Sequence, residues 1–233
     1  MKSLQKTFDL LEYVFLRNGS SVTPSEAADA LGINLVTATR IMGSLVERGY
    51  LIKISRKDGY APGPMVMALG SRHNAYERLT AAARQPVEDL SNQLNRQVNL
   101  SVLNGEKRVM LCYQLNGNYV QPWSRFLFSS HYLTGTGRCL LSTLDFRTAQ
   151  KIVGDAVSGE VLKKELEDIA HKGYVQFEFD NEVVIGHLIK VPGFPAAALG
   201  YGIEKKHVDE AMILAQKAVK TIIKNLKNKL RDY

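Results

Sequence analysis

The sequence has few of the residues and patterns that metal chemistry, secretion or a membrane span would need. Only two of its 233 residues are cysteines, Cys112 and Cys139, and neither lies at metal-ligand spacing. A chain of this length with two cysteines is typical of reduced, intracellular proteins. No apolar run approaches the roughly 20 residues of a membrane-spanning helix, and the mixed polarity after Lys2 argues against a signal peptide. We therefore expect a cytoplasmic protein with no membrane association.

Signatures of catalysis are missing as well. The five histidines form no HExxH or other ligand spacing, and no serine lies in a nucleophile-elbow context. Residues 135–137 read Gly-Thr-Gly, but the further glycines of a dinucleotide fingerprint and the Gly-Lys-Ser/Thr of a P-loop do not follow. This turn either presents backbone N–H groups to an anion or binds nothing. We predict that the chain is not an enzyme and that it uses no cofactor and no metal.

What the sequence does have is the length of two domains and an excess of basic residues. With 45% hydrophobic and 23% charged residues, each of two domains could bury its own core. The formal charge is +7 and the isoelectric point is about 9.3. A basic protein favours an anionic partner, and nucleic acid is the first candidate, ahead of a membrane surface.

The first 70 residues carry the start and stop signals of three helices. A first helix over residues 4–16 places large apolar side chains at helical spacing: Leu4, Phe8, Leu11 and Phe15. Residues 23–26, Thr-Pro-Ser-Glu, read as a capping box with proline in the first turn of a second helix. Gly32 ends this helix, and Asn34 caps a third helix that runs to about Arg48. Two helices joined by a tight turn that contains glycine predict a helix-turn-helix.

A β-hairpin is predicted after the third helix. Tyr50, Ile52 and Ile54 alternate as in a half-buried strand, and Asp58-Gly59 is a strong hairpin turn signal. Three helices followed by a two-stranded hairpin are the winged form of the helix-turn-helix. In such a motif the third helix enters the major groove of DNA.

The third helix has one side suited to burial and one suited to a partner. Four apolar residues lie on the side that packs on the first two helices: Ala38, Ile41, Met42 and Leu45. The residues predicted to meet DNA lie at the helix start, on its outer side and at the hairpin tip: Asn34, Leu35, Val36, Thr37, Thr39, Arg40, Ser44, Arg56 and Lys57. Arg40 suits a guanine edge or a phosphate, whereas Leu35 and Val36 suit thymine methyl groups. The alternative is a protein partner, because winged modules also mediate protein contacts.

Residues 71–95 predict a helical linker. Six residues recur at spacings of three or four: Tyr76, Leu79, Ala83, Val87, Leu90 and Leu94. This stripe either meets a helix of a second subunit, which suggests a homodimer, or packs on its own chain. Pro86 removes a backbone donor and disfavours helix at Gln85, so we expect a kink or two successive helices.

From Gln97 the hydrophobic period changes to two. Strands are predicted over five segments: 98–104, 108–114, 175–179, 182–191 and 196–203. Residues 116–118 predict a further turn, which leads into an extended piece at 119–123. An extended segment then ends at the Gly-Thr-Gly turn, which opens a short helix.

Two longer helices are predicted among these strands. One is amphipathic, with four residues inward: Leu162, Leu166, Ile169 and Ala170. The other runs from about Lys205 to Leu230. His187 lies in an apolar strand and is interpreted as a hydrogen-bonded core histidine. Strands mixed with helices predict a mixed sheet covered by helices, and a turn-lined cavity there suits a ligand sensor better than an enzyme.

At this point several segments resemble a known family. "SLQKTFDLLEYV", "SEAADALGINLVTATRIMGSLVERGYL" and "GYAPGPMVMALG" resemble the N-terminal domain of the IclR family of bacterial transcriptional regulators. "AARQPVEDLSNQLNRQVNLSVL", "TGTGRCLLSTL" and "ELEDIAHKGY" resemble its linker and effector-binding domain. The resemblance implies an α+β fold with a winged helix-turn-helix DNA-binding domain at residues 1–70. A helical linker at 71–95 and a GAF-like α/β effector-binding domain at 96–233 would follow.

The resemblance also implies partners. Family members are homodimers or dimers of dimers that act as repressors or activators, and a dimer would bind a pseudo-palindromic operator of double-stranded DNA. Their effector is a small metabolite, often an organic acid. Positions that match the family's effector pocket are Gly135, Thr136, Gly137, Asp180 and Gly200.

The chain departs from the family pattern at several of these positions. Leu35 and Val36 stand where the family usually has polar residues, and Arg138 stands where it has lysine after the pocket turn. Gly200 and Gly202 match positions of pocket serines, so two hydroxyl groups are missing. Two further residues stand where the family tends to be small and apolar: His187 and Lys190. These differences predict an altered or filled pocket.

The sequence therefore predicts a DNA-binding transcriptional regulator controlled by a small metabolite. Two alternatives remain open. One is a redox-sensing regulator, which would need Cys112 and Cys139 close together and one thiol activated. The other is a metabolite-processing enzyme that keeps the winged helix as an adaptor.

Overall fold

The computed structural model describes residues 2–17, 20–70, 74–114, 127–128 and 131–229. These residues divide into two compact units, one made of residues 2–70 and one of the residues from 74 onward. Within the described ranges, no helix combines the length and the hydropathy that crossing a membrane requires.

The first unit is a small helical domain with a two-stranded sheet. Its elements in chain order are α1 (Lys2–Phe15), α2 (Pro24–Leu31), α3 (Leu35–Glu47), β1 (Leu51–Ser55), β2 (Gly59–Pro62) and α4 (Met65–Gly70). The capping box is present: Thr23 Oγ1 accepts from the Glu26 N–H, and the Glu26 carboxylate accepts from the Thr23 N–H at 2.7 Å. Gly32 has φ 61°, in the left-handed region, so the chain turns sharply into α3.

The core of this unit lies between α1, α2, α3 and the start of β1. Its buried side chains on α3 are those predicted: Ala38, Ile41, Met42 and Leu45. The predicted stripe of α1 is only half correct: Leu11 and Phe15 pack against the core, but Leu4 and Phe8 are exposed. The fully buried residues of α1 are Leu10 and Val14. This helix has two apolar stripes, and its packing on α2 and α3 decides which one is inside.

The β1–β2 hairpin forms as predicted, but β1 lacks the predicted alternation of buried and exposed side chains. Leu51 is buried, whereas Ile52 and Ile54 are about half exposed, with exposed fractions of 48% and 53%. Lys53, which shares the face of Leu51, is exposed as well, so Leu51 is the one fully buried residue of β1. Tyr60 pairs with Val22 through two backbone hydrogen bonds of 2.8 and 2.9 Å, so the hairpin is attached to the segment before α2.

The second unit is an antiparallel sheet between two layers of helices. Its strands are β3 (Val98–Asn104), β4 (Lys107–Gln114), β5 (Leu127–Phe128), β6 (Tyr174–Phe179), β7 (Glu182–Ile189) and β8 (Ala197–Ile203). Its helices are α5 (Ala75–Leu94), α6 (Gly135–Leu141), α7 (Phe146–Val153), α8 (Gly159–Lys172) and α9 (Val208–Lys229), with short 3₁₀ turns at Gly154–Ala156 and Lys205–His207.

The sheet order is β5-β4-β3-β8-β7-β6, and every strand pair in the described residues is antiparallel. The predicted mixed sheet is therefore wrong. Helices α5 and α9 cover one face, and α6 and α8 cover the other. The predicted turn and extended piece at 116–123 lie outside the described residues.

In this unit one local prediction is confirmed, one helix was not predicted, and one residue is placed differently. The Gly-Thr-Gly segment opens a short helix as predicted, since it forms the first turn of α6, which Thr134 caps. Helix α7 has no counterpart in the prediction. In α8, Leu162, Leu166 and Ile169 are buried as expected, but Ala170 is exposed.

Helix α5 packs inside the second unit. Four residues of its predicted stripe are buried against the sheet and α9: Leu79, Ala83, Val87 and Leu90. Packing on its own chain therefore accounts for most of the stripe, while Tyr76 at its start remains 43% exposed.

Helix α5 runs through Pro86 as one helix, not two. Proline has no N–H, so the carbonyl of Ala82, four residues earlier, loses its helical donor. Asn225 of α9 donates to this carbonyl from Nδ2 at 3.1 Å. A side chain of a second helix thus replaces the missing backbone bond and offsets part of the cost of the proline.

Replacing Asn225 by alanine is expected to lower the free energy of unfolding by about 1–2 kcal/mol, because a buried carbonyl is left without this donor. In a Pro86→Ala background, the restored N–H serves the carbonyl, so the same replacement should cost clearly less. Urea unfolding of the four proteins measures both losses. Equal losses in the two backgrounds would mean that Asn225 does not compensate for the proline.

Candidate functional site

The outer side of α3 is presented on a rigid helix start. Asn34 caps the helix, and its Oδ1 accepts from the Val36 N–H at 2.7 Å. Thr39 Oγ1 donates back to the Leu35 carbonyl at 2.9 Å. The opposite side of the helix is buried in the core, so its rotation about its own axis is fixed.

The predicted DNA-binding residues occupy this outer side and the hairpin tip. Thr37 is half-buried, and the others are exposed: Asn34, Leu35, Val36, Thr39, Arg40, Ser44, Arg56 and Lys57. Val36 and Arg40 are four residues apart, so they are neighbours on the helix surface. Val36 is 75% exposed and Leu35 is 51% exposed, which is unusual for aliphatic side chains.

Basic residues concentrate at this side of the unit. Residues 34–58 contain two acidic residues, Glu47 and Asp58, against five basic ones: Arg40, Arg48, Lys53, Arg56 and Lys57. Residues 2–33 have more acidic than basic residues. The surface of α3 and the hairpin therefore combines positive charge with an exposed helix, which suits a polyanion.

The hairpin tip is held by a tight turn. Ser55 Oγ accepts from the N–H groups of Lys57 and Asp58 at 3.1 and 2.9 Å and donates to the Asp58 carboxylate at 2.6 Å. Gly59 follows with φ 80°, and a Cβ there would lie 2.3 Å from the Val22 carbonyl oxygen. The turn thus fixes the backbone on which Arg56 and Lys57 are carried.

In the second unit, three of the predicted effector residues lie together. Gly135 begins α6 directly against β7, where a Cβ would lie 2.7 Å from the Gly186 nitrogen. Thr136 is 2% exposed, and its methyl group would lie 2.6 Å from a Cβ on Gly200. Gly137 packs on the His131 backbone instead. The start of α6 is therefore packed tightly on β7 and β8.

Asp180 is not brought to this cluster. It lies exposed in the β6–β7 turn with φ 53°. Gly186, which contacts Gly135, lies four residues beyond Glu182, at the start of β7. At about 3.3 Å per residue along a strand, the turn is on the order of 13 Å away.

A buried cation beside Thr136, the guanidinium of Arg108, was not predicted from the sequence. Arg108 is 4% exposed, and its Nη1 donates to Thr136 Oγ1 at 2.9 Å and to Ser101 Oγ at 3.4 Å. Ser101 donates to Asn99 Oδ1 at 3.3 Å, and Asn99 Nδ2 donates to the Gly200 carbonyl at 3.2 Å. Burial lowers the pKa of Arg108 to about 10, so the guanidinium is charged at neutral pH. The only signal in the sequence is that strand alternation from Met110 places Arg108 inward.

Arg138, which replaces the family's lysine, stabilises helix packing. Its guanidinium lies 4.1 Å from the ring centroid of Tyr132 and 3.6 Å from that of Phe177. Its Nη1 forms an ion pair of 2.6 Å with Glu165 of α8, and both side chains are largely buried. Cation–π contacts and the ion pair account for this arginine without a ligand.

The interpretation of His187 as a core histidine is confirmed. It is 3% exposed, and its Nε2 lies 3.3 Å from the Tyr201 hydroxyl, which donates to the Ala211 carbonyl of α9 at 3.2 Å. Burial lowers the pKa of His187 to about 4, so the ring is neutral at physiological pH. Lys190 is exposed.

The two cysteines are poorly placed for a redox switch. Cys112 packs among residues on the α5–α9 face of the sheet, and Cys139 is buried on the α6–α8 face. The sheet lies between them, whereas a disulfide needs Cα atoms within about 7 Å. Burial raises the pKa of Cys112 and raises that of Cys139 to about 12, so neither thiol is activated. Among the described residues, no group of His, Cys, Asp and Glu could hold a metal ion.

Comparison with known proteins identifies the first domain. Residues 3–53 match the family described as the IclR helix-turn-helix domain. The chain therefore carries an IclR helix-turn-helix domain at its N-terminus, and the resemblance predicted from the sequence is confirmed. No curated protein matches the chain.

Solved structures with a similar fold extend the comparison to nearly the whole chain. An IclR homolog from Microbacterium hydrocarbonoxydans, solved in complex with 4-hydroxybenzoate, is 19% identical with a TM-score of 0.75, covering 97% of this chain and 99% of that one. The IclR of Thermotoga maritima is 21% identical with a TM-score of 0.63 at the same coverage. Pseudomonas aeruginosa HmgR is 15% identical with a TM-score of 0.69, covering 96% and 98%. The fold of the chain is thus that of IclR structures, with an N-terminal helix-turn-helix and a C-terminal helix and sheet domain.

Proposed function

We propose that this protein is a transcriptional regulator that binds a specific sequence of double-stranded DNA through α3 and the β1–β2 hairpin. The observation that carries the proposal is the outer side of α3, which is exposed along its length, capped at its start and fixed by the buried opposite side. Arg40 and the hairpin-tip residues Arg56 and Lys57 add the positive charge that phosphates attract.

We propose that each of the domains predicted from the sequence has its own role. Residues 1–70 bind DNA, residues 71–95 connect, and residues 96–233 bind a small-molecule effector. A homodimer, or a dimer of dimers, would place two copies of α3 on a pseudo-palindromic operator. The effector changes DNA affinity only by as much as it prefers one arrangement of the protein over another.

The experiment that tests this function is selection from a pool of randomised duplex DNA by the full-length protein. We expect one recurring motif with two related half-sites whose centres are about 10 base pairs, or a multiple of that, apart. Recovery of fragments with no common motif would contradict sequence-specific binding.

The effector that the second unit suits best is an organic acid. Arg108 supports this, because it places a buried positive charge beside Thr136, one of the predicted effector residues. Charge-assisted hydrogen bonds from arginine to a carboxylate are among the strongest that proteins form. The fold neighbour from Microbacterium hydrocarbonoxydans was solved with an aromatic acid, 4-hydroxybenzoate, which makes it a suitable probe.

Replacing Arg108 by methionine is expected to weaken binding of carboxylate ligands by about 30-fold or more, the factor for loss of a buried charged contact of ~2 kcal/mol. A thermal-shift panel measures this, with 4-hydroxybenzoate and other carboxylic acids each compared with its neutral carboxamide. The wild type should respond to acids and not to amides. The control Arg147→Met removes an exposed arginine of α7 and should change nothing. Equal responses to an acid and its amide would contradict an anionic effector.

A further inference from the structure

The start of α3 offers DNA an apolar surface instead of a polar one. Leu35 and Val36 are its first two residues and are 51% and 75% exposed. Two nearby polar side chains bond within the helix, since Asn34 Oδ1 caps the Val36 N–H and the Thr39 hydroxyl donates to the Leu35 carbonyl. The start of the helix, which a groove meets first, therefore exposes two aliphatic side chains.

An aliphatic side chain discriminates strongly between base edges. In the major groove, every base edge presents hydrogen-bond donors or acceptors, and thymine alone adds an apolar group, its C5-methyl. An aliphatic side chain over a donor or acceptor removes water without replacing its hydrogen bond, which costs free energy. Over the methyl group, both partners bury apolar surface, which is favourable.

We propose that Val36 and Leu35 read thymine methyl groups, so that each half-site carries A·T pairs opposite the start of α3. This inference rests on the proposed DNA-binding function and names the chemistry that gives it specificity. Arg40, one turn further along the same side, contacts the neighbouring guanine or phosphate. The positive charge of the surrounding surface identifies the occupant of this apolar surface as DNA and not an apolar protein helix.

The test uses DNA in which uracil replaces thymine, because this change removes the methyl group and keeps every hydrogen-bonding atom. Fluorescence anisotropy measures the affinity of the full-length protein for the selected motif in both forms. We expect about fourfold weaker binding for each contacted methyl group lost, the factor that corresponds to ~0.8 kcal/mol per buried carbon. Uracil outside the half-sites should have no effect.

Variants of the protein show whether the effect of uracil comes from a lost side-chain contact or from a change in DNA stiffness. Val36→Ala should bind the thymine form more weakly and lose most of its sensitivity to uracil. Met67→Ala, which shortens an equally exposed side chain of α4 at 75% exposure, should keep the full sensitivity. Equal affinity for both DNA forms, or equal uracil sensitivity of Val36→Ala and wild type, would overturn the inference while leaving specific binding intact. Failure to select any motif would overturn the proposed function itself.

Discussion

Replacing Arg40 by alanine is expected to weaken binding to the specific DNA by about five- to 150-fold, which corresponds to the ~1–3 kcal/mol of a good base contact. Arg40 is exposed on the outer side of α3, opposite the buried Ile41 and Met42. Its loss should therefore leave the free energy of unfolding nearly unchanged. Anisotropy against specific and scrambled DNA, together with urea unfolding, measures both quantities.

The control for this variant is Arg17→Ala. Arg17 is also exposed in the first unit, but it follows α1 and lies over the Tyr13 ring. Both variants lose one positive charge and should show a similar, small loss of affinity for scrambled DNA. Only Arg40→Ala should reduce the ratio of specific to scrambled affinity. An unchanged ratio would show that α3 is not the element that reads the sequence.

Replacing Gly186 by alanine should destabilise the second unit by about 3 kcal/mol or more, because overpacking against backbone cannot relax by side-chain movement. A Cβ on Gly186 would lie 2.3 Å from the carbonyl carbon of Gly135, at the start of α6. The contact joins α6 to β7 at the site of the predicted effector residues. Urea unfolding followed by circular dichroism measures the loss.

Gly202→Ala is the matched control for Gly186→Ala. A Cβ on Gly202 would lie 2.5 Å from Oε2 of Glu182, which is the end of a flexible side chain and can move away. We therefore expect a much smaller loss from this variant. Losses of the same size in both proteins would contradict the close approach of α6 to the sheet.

The first unit could be predicted in most respects because its signals are local. The capping box and the Asn34 cap join residues two or three positions apart, so the sequence contains both partners side by side. Which face of an element is buried is not local. Helix α1 has two apolar stripes and strand β1 has two alternating faces, and only the packing on α2 and α3 selects Leu10 and Leu51 as the buried ones.

The second unit was predicted less completely because its decisive contacts join distant residues. Asn225 compensates for Pro86 through a carbonyl 143 residues away in sequence. Arg108 donates a hydrogen bond to Thr136, which lies 28 residues further along the chain. A bulge between Leu100 and Ser101 also shifts the alternation of inward and outward side chains on the paired strand β4. The family pattern predicts Asp180 as an effector residue, but the length of the β6–β7 hairpin places it at the hairpin tip, away from Gly135.

The measurement that tests the central claim most directly is fluorescence anisotropy over a salt series. It compares DNA from upstream of the protein's own gene and its neighbours with scrambled DNA of the same length. The account predicts that one fragment is bound far more tightly than scrambled DNA at equal salt. Equal and steeply salt-dependent binding to every fragment would contradict it, because the positive charge of the protein would then account for DNA binding and α3 would make no sequence-specific contacts.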